Sequence, residues 1–309
     1  MLHPASQNFK DIVNPDSVAV VGMPERIWVF GGQILGGESP KSIREKFLQV
    51  ALSKSLPWLK ELSKPEDYPD WLAFSGYDDL LMFERDASYL SRLVVIFAES
   101  PGAIAELGAF ALDTDIHQKL FVVVSEIHRI HPHRQSFINL GPIKRIESSH
   151  TTEQKGICVI RAEKVNDLTV DEMELIFEEL NKFQNKVPKH SKVKFKVENP
   201  THKLLLIADL VDILQVSKHE EILDILKFLN VPYLLEDLKK ASKLLDLLGL
   251  IKTHERGSEV FLVRSKTTEP LINYSGKEGK TFERIKFKND AAALVNSDPR
   301  RKPLLEVAR

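Results

Sequence analysis

Uninterrupted apolar runs punctuate the first half of the chain, at residues 27–30 (IWVF), 93–97 (LVVIF), 120–124 (LFVVV) and 157–160 (ICVI). A strand covered on both faces has no room for alternating polar residues, so runs of this kind predict strands buried inside a sheet. Between them the period lengthens. Ile43, Phe47, Val50 and Ala51 recur at helical spacing behind Ser39-Pro40, which predicts a helix opening at one of those two residues. Residues 78–91 read as a helix leading into the 93–97 strand, and 170–183 as an amphipathic helix. Repeated strand–helix alternation with apolar strands predicts an α/β class with a parallel sheet.

The pattern changes after residue 200. The stretch 184–200 is basic and polar with two prolines, and marks a boundary. Leucine-rich helices follow at 204–214 and 222–229, with Ser217 and Glu220 spaced as a capping box. Pro232 opens a third helical pattern through Leu234, Leu235, Leu238, Ala241, Leu244, Leu245 and Leu248, and Gly249 stands where a C′ glycine ends a helix. Residues 250–254 and 260–263 read as two strands joined by 255–259. Three helices and a hairpin predict a winged helix-turn-helix. The expected organisation is an irregular N-terminal arm (1–25), an α/β catalytic domain (26–186), a linker (187–200), the winged helix (201–265) and a basic, partly extended tail (266–309).

Length and hydrophobic content (309 residues, 43%) suit two cored domains. The net charge of −1 hides an asymmetry: residues 1–180 carry 18 Lys/Arg against 27 Asp/Glu, and 181–309 carry 25 against 17. The C-terminal part is therefore the one expected to meet a polyanion. Lys239, Lys240 and Lys243 along the third helix, with Lys252, His254 and Arg256 on the hairpin, are the candidate phosphate contacts; protein docking is the alternative use of such a module. A single cysteine, Cys158, excludes an internal disulfide and reads as a core residue. No apolar run approaches a membrane span and the start lacks a signal pattern, so a cytoplasmic protein with no membrane partner is expected. His128, His131 and His133, with His117 nearby, lack acidic or thiol companions at ligand spacing, and no metal site is expected.

The chemistry concentrates in Leu93 to Phe110, LVVIFAESPGAIAELGAF. A buried strand runs into Ser100, a good N-cap, and Pro101, a good first helical residue. The helix that follows is small and apolar except for Glu106, and Gly102, Glu106 and Phe110 share one face. Open α/β sheets bind ligands at this kind of strand-to-helix turn. Glu84, on the helix before that strand, is either a ribose-holding or water-orienting group or an exposed acid. Gly31 and Gly32 end the first strand and would let backbone N–H groups approach a phosphate or ribose, or simply form a turn. Asn139 is placed to hydrogen-bond a base or ribose, or to cap a turn.

Gly102 followed by Glu106, Leu107 and Gly108 resembles the G-T-x-x-E-x-G element of nucleoside 2-deoxyribosyltransferases, with Ala103 in place of the threonine. ESPG…ELGAF together with SFINLGP (136–142), Pro65-Glu66-Asp67 and LLMFE (80–84) is more closely similar to deoxyribosyltransferase-like effector proteins of bacterial retrons, in family order over about residues 26–145. The resemblance implies a Rossmann-like fold and makes Glu106 the nucleophile. It also implies a toxin of antiviral defence, held by the retron reverse transcriptase and its branched RNA–DNA (multicopy single-stranded DNA) until phage infection.

A carboxylate attacking C1′ of a ribose splits a hard substitution into two easier ones. Nicotinamide leaves NAD as a neutral molecule and needs no acid, whereas a purine must be protonated. The expectation is an N-glycosidase, a hydrolase for which NAD or a related nucleotide is substrate and no cofactor is needed, with higher-order assembly open. The rivals are a salvage nucleoside or nucleotide deoxyribosyltransferase or hydrolase, and a non-enzymatic nucleotide sensor with a DNA-binding domain.

Overall fold

The computed structural model describes residues 3–37, 39–69, 76–130, 133–149, 156–187, 192–265 and 269–307. The chain divides into two compact units, one of residues 24–69 and 84–189, the other of 1–23, 70–83 and 190–309.

The first is an α/β unit. Strands β2 (Ile27–Phe30), β3 (Leu62–Ser63), β4 (Leu93–Phe97), β5 (Leu120–Ser125) and β6 (Ile157–Ile160) form a five-stranded sheet in the order β3-β2-β4-β5-β6. All its pairings are parallel, with Phe30 opposite Ile96 and Phe97 opposite Val123. Every residue of β2 and β4 is buried, which is why those runs contain no polar residue. On one face, Val29, Val95, Phe97 and Val123 join Phe47 of helix α2 (Ile43–Ser53) and Phe177 of a helix at Val170–Lys186 in one core cluster. The Phe47 and Phe177 rings stack 4.9 Å apart. Trp28 and Phe30 point the other way. Trp28 Nε1 donates to the Ala87 carbonyl of helix α3 (Leu80–Tyr89) at 3.1 Å, and Phe30 meets Phe110 of helix α4 (Pro101–Leu112) edge-on at 5.3 Å.

Helix α2 starts at Ile43 rather than at Ser39 or Pro40, because Ser42 is the cap: its side chain accepts from Glu45 N–H at 3.0 Å. Cys158 is a core thiol, pushed up to about 12 by burial.

The other unit holds two antiparallel three-stranded sheets. A helix at Pro200–Leu214, a short strand at Val216–Lys218, helices at His219–Phe228 and Leu235–Leu247, and a hairpin of Ile251–Arg256 with Glu259–Arg264 follow in sequence. The second helix is capped one residue later than the capping-box spacing predicts: Lys218 N–H reaches Glu221, and Ser217 lies buried in the strand. The third begins at Leu235 rather than Pro232, and Gly249 ends it with a φ of 73°.

The two terminal segments expected as arms are folded instead. Ser6–Ile12 is a helix (α1), and β1 (Val13–Val20) is the central strand between β11 (Ile272–Gly276) and β7 (Val193–Lys194). Phe9 is fully buried against Phe228, Tyr274, Phe282 and Phe287, so the aromatic residues at the two chain ends supply one another's core. Helices at Arg284–Asn296 and Lys302–Val307 complete the tail, the first fastened by Arg284 to Asp209 and Asp212, the second adjoining Arg301, which pairs with Glu221. Among the described residues, no helix is long and apolar enough to cross a membrane.

Candidate functional site

In the sheet β2 lies between β3 and β4: the chain runs from β2 to β3 on one side and returns to β4 on the other. The carboxyl end shared by β2 and β4 is a topological switch point, where open α/β sheets present loops that diverge to form a crevice. Gly31-Gly32 leaves β2 there and Glu99-Ser100 leaves β4. Ser100 caps α4, accepting from Ala103 N–H at 3.2 Å, and Pro101 occupies the first helical position. Pro101 and Gly102 are exposed, and a Cβ on Gly102 would meet nothing, so this turn is open to an approaching molecule.

One turn further on stands Glu106. Its Oε2 is buried, and among the described residues no donor reaches it. Burial pushes its carboxyl up to about 7; Arg44 opposes that and Glu66 adds to it. Glu84, on α3, is 4% exposed. Burial pushes it up to about 8, reinforced by the charges of Glu106 and Glu66 and opposed by Arg44. The fold thus brings two carboxyls that lie 22 positions apart in the chain under each other's electrostatic influence, each pushed up from its ordinary value mainly by burial. Such a pair titrates in two steps that belong to both groups.

Arg44 and Glu66 were not singled out as site residues in the sequence. Arg44 is buried, and its guanidinium forks onto Glu66 with bonds of 3.0 and 2.6 Å, while Nη1 also donates to the Gly32 carbonyl at 3.2 Å. A charged residue immediately beside Ile43 on the buried side of α2, with the PED motif downstream, was the available signal.

The glycine pair is used differently from the expectation. Gly32 N–H is given to Glu99 at 3.1 Å, and a Cβ on Gly32 would lie 2.6 Å from that of Ser42. A Cβ on Gly31 would come within 2.9 Å of the Arg44 side chain and of Phe97. Both glycines therefore admit protein groups. Asn139 opens a short π-helical segment, Asn139–Ile143, which packs against α4. Its amide donates to the Arg134 carbonyl at 2.7 Å, while Oδ1 is buried and has no partner among the described residues.

The candidate polyanion contacts divide. Lys239 and Lys243 are exposed, but Lys243 Nζ lies beside Gly76 and Lys240 Nζ sits 4.1 Å over the Tyr77 ring, half-buried. Lys252 is paired with Asp246 at 3.2 Å. Arg256 lines a cleft of about 430 Å³ with Arg300 and Glu259 at the hairpin tip, and donates to the Arg300 carbonyl. Arg300 is 73% exposed in its side chain and was not foreseen. His131 lies outside the described residues; among those described, no three His, Cys, Asp or Glu side chains are grouped to hold a metal.

A profile of the STM3845 retron effector protein family matches residues 40–253. The retron Ec86 protein of Escherichia coli, provisionally named a ribosyltransferase/DNA-binding protein, is 27% identical over 138 residues, 44% of each chain. The retron Ec73 protein of the same organism, named likewise, is 38% identical over 97 residues, 31% of this chain and 27% of that one. The chain thus spans less than half the length of these curated relatives.

Proposed function

Starting from the fact that the chain belongs to the STM3845 retron effector family, we propose that it is an N-glycosidase. It would cleave the N-glycosidic bond of NAD or a related nucleotide through a Glu106–ribosyl intermediate. The observation that carries this reading is the half-buried Glu106, its Oε2 buried without a partner among the described residues, acting on the buried Glu84, both carboxyls pushed up by burial behind an open turn at the carboxyl edge of a parallel sheet. Enzymes raise carboxyl groups in this way when one must attack and another must keep a proton. The provisional ribosyltransferase names of the two relatives support glycosyl transfer as the class of chemistry.

In the first step an oxygen of ionised Glu106 bonds to C1′ while the C1′–N bond breaks and its electron pair departs with the base. Cationic nicotinamide leaves neutral. In the second step water attacks C1′, its proton passes to a base, and the Glu106 carboxylate is released. Glu84 is suited to be that base: burial is the main cause of its raised ionisation, and esterifying Glu106 removes one of the charges that add to it.

Glu84 also favours a second reading. A carboxyl still protonated near pH 7 could protonate a departing purine, so nucleoside or nucleotide deoxyribosyl transfer or hydrolysis becomes chemically accessible. Incubating the protein with NAD and a panel of purine and pyrimidine nucleotides separates the two. Release of nicotinamide alone supports the first, and release of purines supports the second. Absence of any base release would leave the non-enzymatic sensor.

The three helices and hairpin of residues 200–264 are read as a winged helix, and the α/β unit as a deoxyribosyltransferase-like Rossmann variant. In a retron effector, the partner suited to the basic groups at Lys239, Lys243 and Arg256 is the branched RNA–DNA with its reverse transcriptase, and restraint of the toxic activity in that complex is part of this reading. Cytoplasmic action belongs to the same reading.

A further inference from the structure

The amino end of the parallel sheet, opposite the Glu106 turn, carries a cleft of about 480 Å³ within the α/β unit. Glu25 stands before β2, Glu61 before β3 and Arg92 before β4, and all three line it. One wall is a face of the Val170–Lys186 helix, where Asn181, Gln184 and Asn185 follow at i, i+3 and i+4 and set three carboxamides side by side. Trp58, whose ring packs on Phe47 and Phe177, supplies an apolar edge.

The hydrogen bonds inside this wall leave donors over. Arg92 is 3% exposed and pairs with Glu61 at 2.9 Å. Its Nη2 also donates to Gln184 Oε1 at 3.1 Å, and its Nη1 to the Gln184 carbonyl at 3.4 Å. A guanidinium only donates, so the side-chain oxygen of Gln184 must face Arg92 and the NH2 end is turned away from it. Gln184 is 7% exposed, and that NH2 nitrogen is buried with no partner among the described residues; Arg92 Nε is left the same way. Asn181 gives its oxygen to Trp58 Nε1 at 2.9 Å, so what it has left to offer the cleft is its NH2. Buried N–H groups without an acceptor are costly and are seldom left in a folded protein. The charges of the lining balance, with Lys60 and Arg92 against Glu25 and Glu61.

We propose that this cleft is a binding site for a small, uncharged, carbonyl-bearing heterocycle, a nucleobase-like ring free or as its nucleoside, whose carbonyl oxygen accepts from Gln184 and Arg92. Donors left over on neighbouring side chains call for an acceptor. A carboxylate or phosphate would gain no net field from a lining whose charges cancel. A ring edge that carries donors beside acceptors matches a row of carboxamides with Glu61 next to them, Trp58 and Pro57 give a flat ring an apolar border, and the volume suits a nucleoside. The proposal does not rest on the glycosidase reading, because no residue of this cleft belongs to the Glu106 site at the other end of the strands.

The test is a ¹H–¹⁵N NMR titration of the full-length protein with nicotinamide, uridine and inosine, and with the 5′-monophosphates of uridine and inosine, following the Gln184 side-chain NH2 and the Arg92 Nε–H. It is run in wild type and in Glu106→Gln, where turnover is removed. At least one uncharged probe should move both resonances saturably in both proteins, with a monophosphate binding no tighter than its nucleoside. Gln184→Glu keeps an oxygen facing Arg92 and takes away the donor, and should weaken that probe at least about tenfold. Asn181→Asp, at an exposed position, keeps the acceptor for Trp58 and loses only its NH2, and should weaken it about threefold. The proposal is overturned if no probe moves either resonance at concentrations up to about 10 mM, the outcome expected when water alone fills the cleft. It is overturned as well by undiminished binding in Gln184→Glu, or by a shift that disappears in Glu106→Gln and so belongs to the other site. Binding of the monophosphates alone, abolished in Lys60→Gln, would make this an anion site and contradict the uncharged ligand. Should Gln184→Glu fail to fold, undiminished binding in Asn181→Asp decides against the proposal.

Discussion

Asp209, Asp212 and Glu221 are as deeply buried in their unit as Glu84 is in the α/β unit. Their surroundings are opposite. Arg284 lies 2.8 Å from both Asp209 and Asp212, Lys288 lies 2.8 Å from Asp212, and Arg301 grips Glu221 with two bonds. Glu84 meets the like charge of Glu106, and the cation that acts on it, Arg44, is already forked onto Glu66. Paired buried charges fasten a fold, and the cost of removing one partner is what keeps them. Buried carboxyls left short of a partner destabilise the fold, and that is the arrangement an active site needs. Carboxyls at similar depth are thus fastened by cations in one unit and pushed up by burial and a like charge in the other.

The contrast breaks first at Glu106. Glu106→Gln keeps size and removes the nucleophilic anion, so base release should fall by at least about a thousandfold with an unchanged circular dichroism spectrum. Retention of more than about a tenth of turnover would remove the covalent role. In the other unit, Arg301→Ala leaves Glu221 buried and unpaired. It should cost about 3–5 kcal/mol in denaturant unfolding while leaving the Glu106 titration where it is.

Glu84→Gln should act in the opposite direction on stability. The unfolded chain ionises Glu84 near 4.5, whereas the folded protein holds that proton until about 8. Its favourable contribution is therefore complete below 4.5 and lost as pH rises through 8. Relative to wild type, the variant should gain ~2–4 kcal/mol between about pH 5 and about pH 9, read from unfolding midpoints. Equal stability differences at both pH values would return Glu84 to an ordinary acid. The smallest effect is expected at the third helix. Charge reversal of Lys239, Lys240 and Lys243 should weaken association with the retron RNA–DNA, and wild-type binding should fall steeply with salt. Reversal of Arg256 and Arg300 at the hairpin cleft separates a wing contact from a helix contact. Salt-insensitive binding lost only on apolar changes would make this a protein-docking module.

What the sequence disclosed follows from locality. The four buried strands and Glu106 each stand in one contiguous run, so periodicity and capping chemistry expose them. Strand β1, VNPDSVAV, carries Pro15 and Asp16 and has neither alternation nor an apolar run, and its partners come from residues 193–194 and 272–276. Nothing local marks it as the middle of a sheet. Arg44, Glu66 and Glu99 escaped for the same reason. Each is an ordinary charged residue in its own segment and acquires a role only when the ends of β2 and β4 come together. The glycine pair was visible, but whether its open space serves a ligand or a neighbouring side chain depends on what packs above it.

The central claim is that Glu106 forms a bond to ribose. Incubating the protein with a 2′-fluorinated NAD analogue, whose electron-withdrawing fluorine slows hydrolysis of the intermediate, and mapping peptides by mass spectrometry tests it directly. The account predicts a fluoro-ADP-ribosyl adduct on Glu106 of α4, absent in Glu106→Gln and formed more slowly below about pH 7, where burial keeps that carboxyl protonated. Nicotinamide release from NAD with no adduct on the Glu106 peptide, or an adduct on Glu84 in its place, would contradict it.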